Sequence, residues 1–233
     1  MFLSNSLHIL CFGDSLTAGH TPHGDTMFHP YGIALKKSLE ASLSSWNIST
    51  DIQGLPGDQV ISPPGHFVPR MNVLYDEVHP HDPYDWAIIL GGTNDLNQNR
   101  LPDNIFSTLQ KVWDVPLSKN TKVLALTISG CGMCSTEVDS RTIDLNQRIL
   151  NHEAENYYTY DLYEAMPYWE MDKEMRDEVW DDNIHFTAKG YDMIGKLLAD
   201  QLFEIMQKAE DELYTSYAAK DDLRRRKTEV MAR

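Results

Sequence analysis

The pattern that most constrains this chain is a recurring pair: a short apolar run, then a stretch with apolar residues at helical spacing. Residues 7–12 (Leu-His-Ile-Leu-Cys-Phe) form the first run and stop at Gly13. Residues 86–90 (Trp-Ala-Ile-Ile-Leu) carry no polar side chain, as a strand buried on both faces requires. Residues 123–128 read as another buried strand, residues 48–55 alternate and then meet Pro56-Gly57, and residues 157–162 give a fifth strand. The stretches between them predict helices. Residues 31–46 carry Ile33, Leu35, Leu39 and Leu43; residues 68–78 are closed by His79-Pro80; residues 104–115 and 141–154 follow. Residues 187–208 form a long helix opened by a Thr cap, with Ile194, Leu197, Leu198, Leu202 and Ile205 on one side. Strands alternating with helices imply a parallel five-stranded sheet covered on both faces, a three-layer α/β/α sandwich.

In such a sheet, ligands gather at the carboxyl ends of the strands. Ser15, Gly57 and Asn94 each follow a strand and so fall on one edge. A serine hydroxyl is a weak nucleophile at neutral pH. It needs a base within hydrogen-bond reach, and the base needs a third group to fix its tautomer. Gly13-Asp14-Ser15-Leu16 offers the nucleophile, and Asp182-Asn183-Ile184-His185 offers carboxylate and imidazole three residues apart, close enough for one turn to join them. Gly54-Leu55-Pro56-Gly57-Asp58 and Gly91-Gly92-Thr93-Asn94-Asp95 could supply the donors an oxyanion needs. Asn94 is an uncharged donor, and Gly57 lets the backbone approach closely. Asp95 is expected to cap the helix that follows. Thr17 stands where a Gly-x-Ser-x-Gly elbow would need glycine, which disfavours the α/β-hydrolase fold.

Those four blocks, in that order between residues 13 and 185, resemble the GDSL, or SGNH, hydrolase family. The resemblance implies a flavodoxin-like sandwich and a role for each matching position. Ser15 would be the nucleophile, His185 the base and Asp182 its partner. The backbone N–H groups of Ser15 and Gly57 and the side-chain amide of Asn94 would form the oxyanion hole. The family spacing selects Asp182 over its neighbour Asp181, whose side chain is expected to face solvent. Pro56 stands where a small polar residue is common in the family, but Gly57 keeps its own N–H. The implied activity is hydrolysis of carboxylic esters of short to medium acyl chains through an acyl-serine intermediate, with no metal and no organic cofactor. The same machinery would also serve a carbohydrate O-acetylesterase, a lysophospholipase or thioesterase, or an acyltransferase. A non-catalytic binding module on the same fold is the reading from another class; intact Ser15, Asn94 and His185 weigh against it.

Composition narrows the partners. The chain has 233 residues, enough for one domain of ordinary size with a sizeable core. A formal net charge of −15 argues against nucleic acid and against an anionic membrane surface. No run approaches the ~20 apolar residues of a membrane span. The first residues lack a basic segment, and the apolar stretch after them leads into the nucleophile block, so an intracellular, cytoplasmic protein is expected. The hydrolase domain is read as residues 1–207. Residues 208–233 are read as a charged helical extension or tail, with Arg224-Arg225-Arg226-Lys227 near its end. Leu213, Tyr217 and Leu223 form a weak apolar stripe there, through which the chain could pair with a second copy.

Three other groups of residues invite sharper readings. Cys131-Gly132-Met133-Cys134 could be a redox pair or half a zinc site. Zinc needs four ligands and no second such pair exists, so a small-residue loop bordering the site is preferred. Three cysteines make no disulfide framework. His20, His23 and His29 are too irregularly spaced for a metal cluster and read as a loop at the pocket entrance. Tyr31, Tyr168, Trp169 and Trp180 could line an acyl or alcohol pocket or pack in the core, and the residues do not separate the two.

Overall fold

A computed structural model describes residues 5–79 and 84–231, with side chains through residue 216. Five parallel strands form one sheet in the order β2-β1-β3-β4-β5. They are β1 (Ser6–Gly13), β2 (Asn47–Gly54), β3 (Trp86–Leu90), β4 (Lys122–Leu126) and β5 (Tyr157–Tyr160). This is the doubly wound order whose direction of winding reverses between β1 and β3, the place where such sheets open a crevice for ligands.

The strands sort their side chains with a period of two. Leu7, Ile9 and Cys11 of β1, with Trp86, Ile88 and Leu90 of β3, enter one core. Leu10 and Phe12, with Ala87 and Ile89, enter the other. The first core is covered by α2 (Tyr31–Ser42) and α9 (Ala188–Met231), through Leu35, Leu39, Tyr191, Ile194, Leu198 and Leu202. The second is covered by α3 (Phe67–Val73), α5 (Pro102–Ser118) and α6 (Thr136–Leu150), through Met71, Ile105, Leu109, Trp113, Leu145 and Ile149. These are the three layers expected. The chain does not close α3 at its seventh residue: one π-type turn, Leu74–Val78, continues it, and the expected stop at Pro80 lies outside the described residues.

Four short helices carry too few residues to show a hydrophobic period: α1 (Ser15–Ala18), α4 (Thr93–Asn97), α7 (Leu162–Ala165) and α8 (Lys173–Val179). Helix α6 begins five residues before the expected position 141, because Ser135 caps it and accepts the Val138 N–H at 3.3 Å. Thr187 accepts the Gly190 N–H at 3.1 Å, as the expected cap of α9. That helix passes position 208 without a break and runs on to Met231. Leu213 is exposed there; Tyr217, Leu223 and the basic run at 224–227 lie beyond the described side chains. Among the described residues no helix is long and apolar enough to cross a membrane.

Candidate active site

Strand β1 ends at Gly13, and the chain turns at once into α1. Asp14 caps that helix, accepting the Leu16 N–H at 2.9 Å, and leaves Ser15 as its first residue. The register Gly13↔Gly54 with β2 and Gly13↔Leu90 with β3 brings the next two blocks to the same edge. The fourth block arrives from across the fold. Trp180 and Phe186, both buried, pair as an isolated bridge, and the Asp181 N–H donates to His185 O at 2.9 Å. Residues 181–185 are thereby held as a closed loop.

Within this loop Asp182 orders both backbone and side chain. Its Oδ1 accepts the N–H of Ile184 at 2.6 Å and of His185 at 2.5 Å; its Oδ2 lies 2.8 Å from His185 Nδ1. His185 Nε2 lies 3.0 Å from Ser15 Oγ. Burial alone would raise the Asp182 carboxyl. The hydrogen bonds from the His185 backbone, the His185 ring and the Ile184 N–H outweigh it and hold the carboxyl below its ordinary value. An ionised carboxylate accepts only, so Nδ1 carries the proton and Nε2 is free to accept from Ser15. The His20 ring packs edge-on to His185 with centroids 4.9 Å apart.

The glycine block forms a tight turn. The Asp58 N–H donates to Leu55 O at 3.1 Å, with Pro56 and Gly57 at the corner and Gly57 at φ +79°. Proline then glycine at positive φ is the composition a type II turn requires, so Pro56 preorganises this loop. Nothing lies within 4 Å of where a Cβ at Gly57 would project. The Asn94 amide donates to Asp58 O at 2.9 Å, which fixes its plane; its contact to Asp14 Oδ2 is 3.4 Å.

Two acidic residues carry this arrangement in ways the sequence did not disclose. Asp95 does not cap α4; its carboxylate accepts the N–H groups of Val60 at 2.8 Å and Ile61 at 3.0 Å and so anchors the chain after the glycine block. The buried Asp58 accepts from Gln59 and His66 N–H and pairs with Arg70 Nη1 at 2.7 Å. Arg70 also donates to Gly13 O at 3.1 Å and Gln53 O at 2.5 Å, joining the ends of β1 and β2. Its only sequence signal is a lone cation in an apolar helix. Burial pushes the Asp14 carboxyl up to about 7. The Asp95 and Asp58 carboxylates add to the rise, while the Leu16 N–H and Arg70 oppose it.

Asp181 does not face solvent. Its side chain is 7% exposed, and its Oδ2 accepts the His23 N–H at 2.7 Å. His29 instead contacts Asp192 at 2.8 Å, so the three histidines after the nucleophile are dispersed. Cys131 and Cys134 are joined by a disulfide, with Cα atoms 5.6 Å apart. Among the described residues they form, with Asp139, one grouping of three possible metal ligands within 4.8 Å. The S–S bond occupies both sulfurs, and three ligands fall short of a closed tetrahedral site. Their loop does border the site, since the Gly132 N–H donates to Asn183 O at 2.9 Å. Of the aromatics, Tyr31 and Trp180 are core residues, Tyr168 donates to Asn183 Oδ1 at 3.2 Å, and Trp169 is exposed.

The sheet brings these residues to one edge of an α/β/α sandwich. The profile of the GDSL-like Lipase/Acylhydrolase family matches residues 11–193, and the chain belongs to that family. Three solved structures share the fold. The aryl esterase of M. smegmatis is 22% identical with TM-score 0.63, over 85% of this chain and 99% of that one. A lipolytic protein of the G-D-S-L family from Veillonella parvula is 24% identical with TM-score 0.62, over 85% and 98%. A carbohydrate acetylesterase from Sinorhizobium meliloti is 21% identical with TM-score 0.62, over 85% and 99%. A search of curated proteins finds no match.

Proposed function

We propose that this chain hydrolyses carboxylic esters through an acyl-serine intermediate. The observation that carries the reading is the continuous relay from Asp182 Oδ2 through His185 to Ser15 Oγ, with steps of 2.8 and 3.0 Å. His185 takes the proton as Ser15 attacks the ester carbonyl, then returns it to the leaving alcohol. It next activates a water that releases the acid. The oxyanion is received by the N–H groups of Ser15 and Gly57 and by the Asn94 amide. No step requires a metal.

A small cleft beside the relay is lined by Thr93 and Ile184, the neighbours of Asn94 and His185, together with Ile128, Ser129 and the disulfide. The acyl group taken is of short to medium chain length, the range the family resemblance implies. A series of chromogenic esters graded in chain length tests this. The expected result is kcat/KM highest among short to medium chains and falling beyond. A rate that climbs through long chains would contradict that chain-length range, and no turnover of any ester would contradict the activity.

A further inference from the structure

We infer that the Cys131–Cys134 disulfide is a thiol-exchange site that sets the reactivity of Ser15, an inference resting on the hydrolase reading above. The two cysteines are half-buried, line the cleft, and close a four-residue turn around Gly132 and Met133. Those two enclosed residues grip the base loop. The Gly132 N–H donates to Asn183 O at 2.9 Å, and Asn183 Nδ2 donates to Met133 Sδ at 3.1 Å. Asn183 sits between Asp182 and Ile184, inside the turn that aims His185.

The turn has no slack on that side. A Cβ at Gly132 would lie 2.3 Å from Tyr168 Cζ and 2.6 Å from Asn183 Oδ1. Reduction by a dithiol proceeds by attack of one reductant thiolate on a protein sulfur. The S–S bond breaks, the second protein sulfur leaves as thiolate and takes a proton, and the reductant's other thiol resolves the mixed disulfide. Two electrons and two protons pass to the protein, and the reductant becomes a cyclic disulfide. The freed sulfurs then separate to van der Waals distance, about 3.5 Å or more. The turn widens against Tyr168 and Asn183, and the grip on the base loop is lost. The oxidised protein is the one with His185 aimed at Ser15.

The full chain, treated with diamide or with dithiothreitol, tests this through two independent readouts. Denaturation in N-ethylmaleimide followed by intact mass counts thiols: one adduct, at Cys11, is expected after diamide, and three after dithiothreitol, from three cysteines in all. The second readout is the rate of fluorophosphonate labelling. It should fall roughly three- to thirtyfold on reduction, the range of a coupling carried through packed neighbours. The Cys131→Ser/Cys134→Ser double variant should label at the slow rate in both media. Three adducts after diamide would overturn the exchange site. One and three adducts with equal labelling rates would overturn the coupling. Absence of labelling in every state would overturn the hydrolase reading, and the coupling with it.

Discussion

Asp181 Oδ2 accepts the backbone N–H of His23 at 2.7 Å, while the adjacent Asp182 gives its carboxylate to His185. Two neighbouring acids thus face opposite ways: one ties the loop after the nucleophile helix to the base loop, the other orients the base. Asp182→Asn should lower kcat by about 10²- to 10⁴-fold, because the amide permits the wrong imidazole tautomer. Asp181→Asn keeps an acceptor oxygen for His23 and should cost less than about tenfold. Steady-state kinetics on both variants at one pH decide it, and a larger loss at Asp181 would reassign the acid.

Asn94 is held by Asp58 O, so its amide is fixed before substrate arrives. Asn94→Ala should lower kcat by about 10²- to 10³-fold, with little change in KM. A change confined to KM would make Asn94 a substrate contact and not an oxyanion donor.

Asp14 should leave a mark on stability against pH. Its carboxyl is raised from 3.8 to about 7 in the fold, so the native chain keeps a proton that the unfolded chain gives up. That contribution is complete below the unfolded value and is lost as pH rises toward 7, amounting at most to about 4 kcal/mol. Asp14→Asn cannot titrate. Its melting temperature should therefore gain on that of the parent protein between pH 4 and pH 8, as thermal melts across that range would show. Parallel profiles would contradict the assignment.

Arg70 and Asp58 form a pair whose carboxylate is fully enclosed. Removing the cation alone leaves a buried carboxylate held only by its contacts to Gln59 and His66, so Arg70→Met should cost up to about 3–5 kcal/mol in denaturant unfolding. Adding Asp58→Asn should recover part of that loss. Equal, additive losses would mean that the two residues act separately.

The layers were legible because their signals are local. Strand β3 spans residues 86–90 in the chain as in the reading, since five consecutive apolar residues admit few other roles. The four blocks were legible because strand ends place Ser15, Gly57 and Asn94 together whatever their side chains do. The misread residues share one property: their partners are remote in sequence. Asp181 meets His23 across 158 positions and Asp95 meets Val60 across 35. Spacing along the chain carries no information about such contacts, so a buried acceptor looked like a surface acid and a loop anchor looked like a cap. The grip of the Cys131–Cys134 turn on Asn183 belongs to the same class.

Ser15, activated by His185, is proposed to form the covalent intermediate. Reaction with a fluorophosphonate, followed by intact mass and peptide mapping, tests that role. One adduct per chain is expected, located on Ser15, with ester hydrolysis lost in step with labelling and Ser15→Ala both unlabelled and slower by ~10⁴-fold or more. An adduct on another residue, or near-native hydrolysis by pure Ser15→Ala protein, would contradict it.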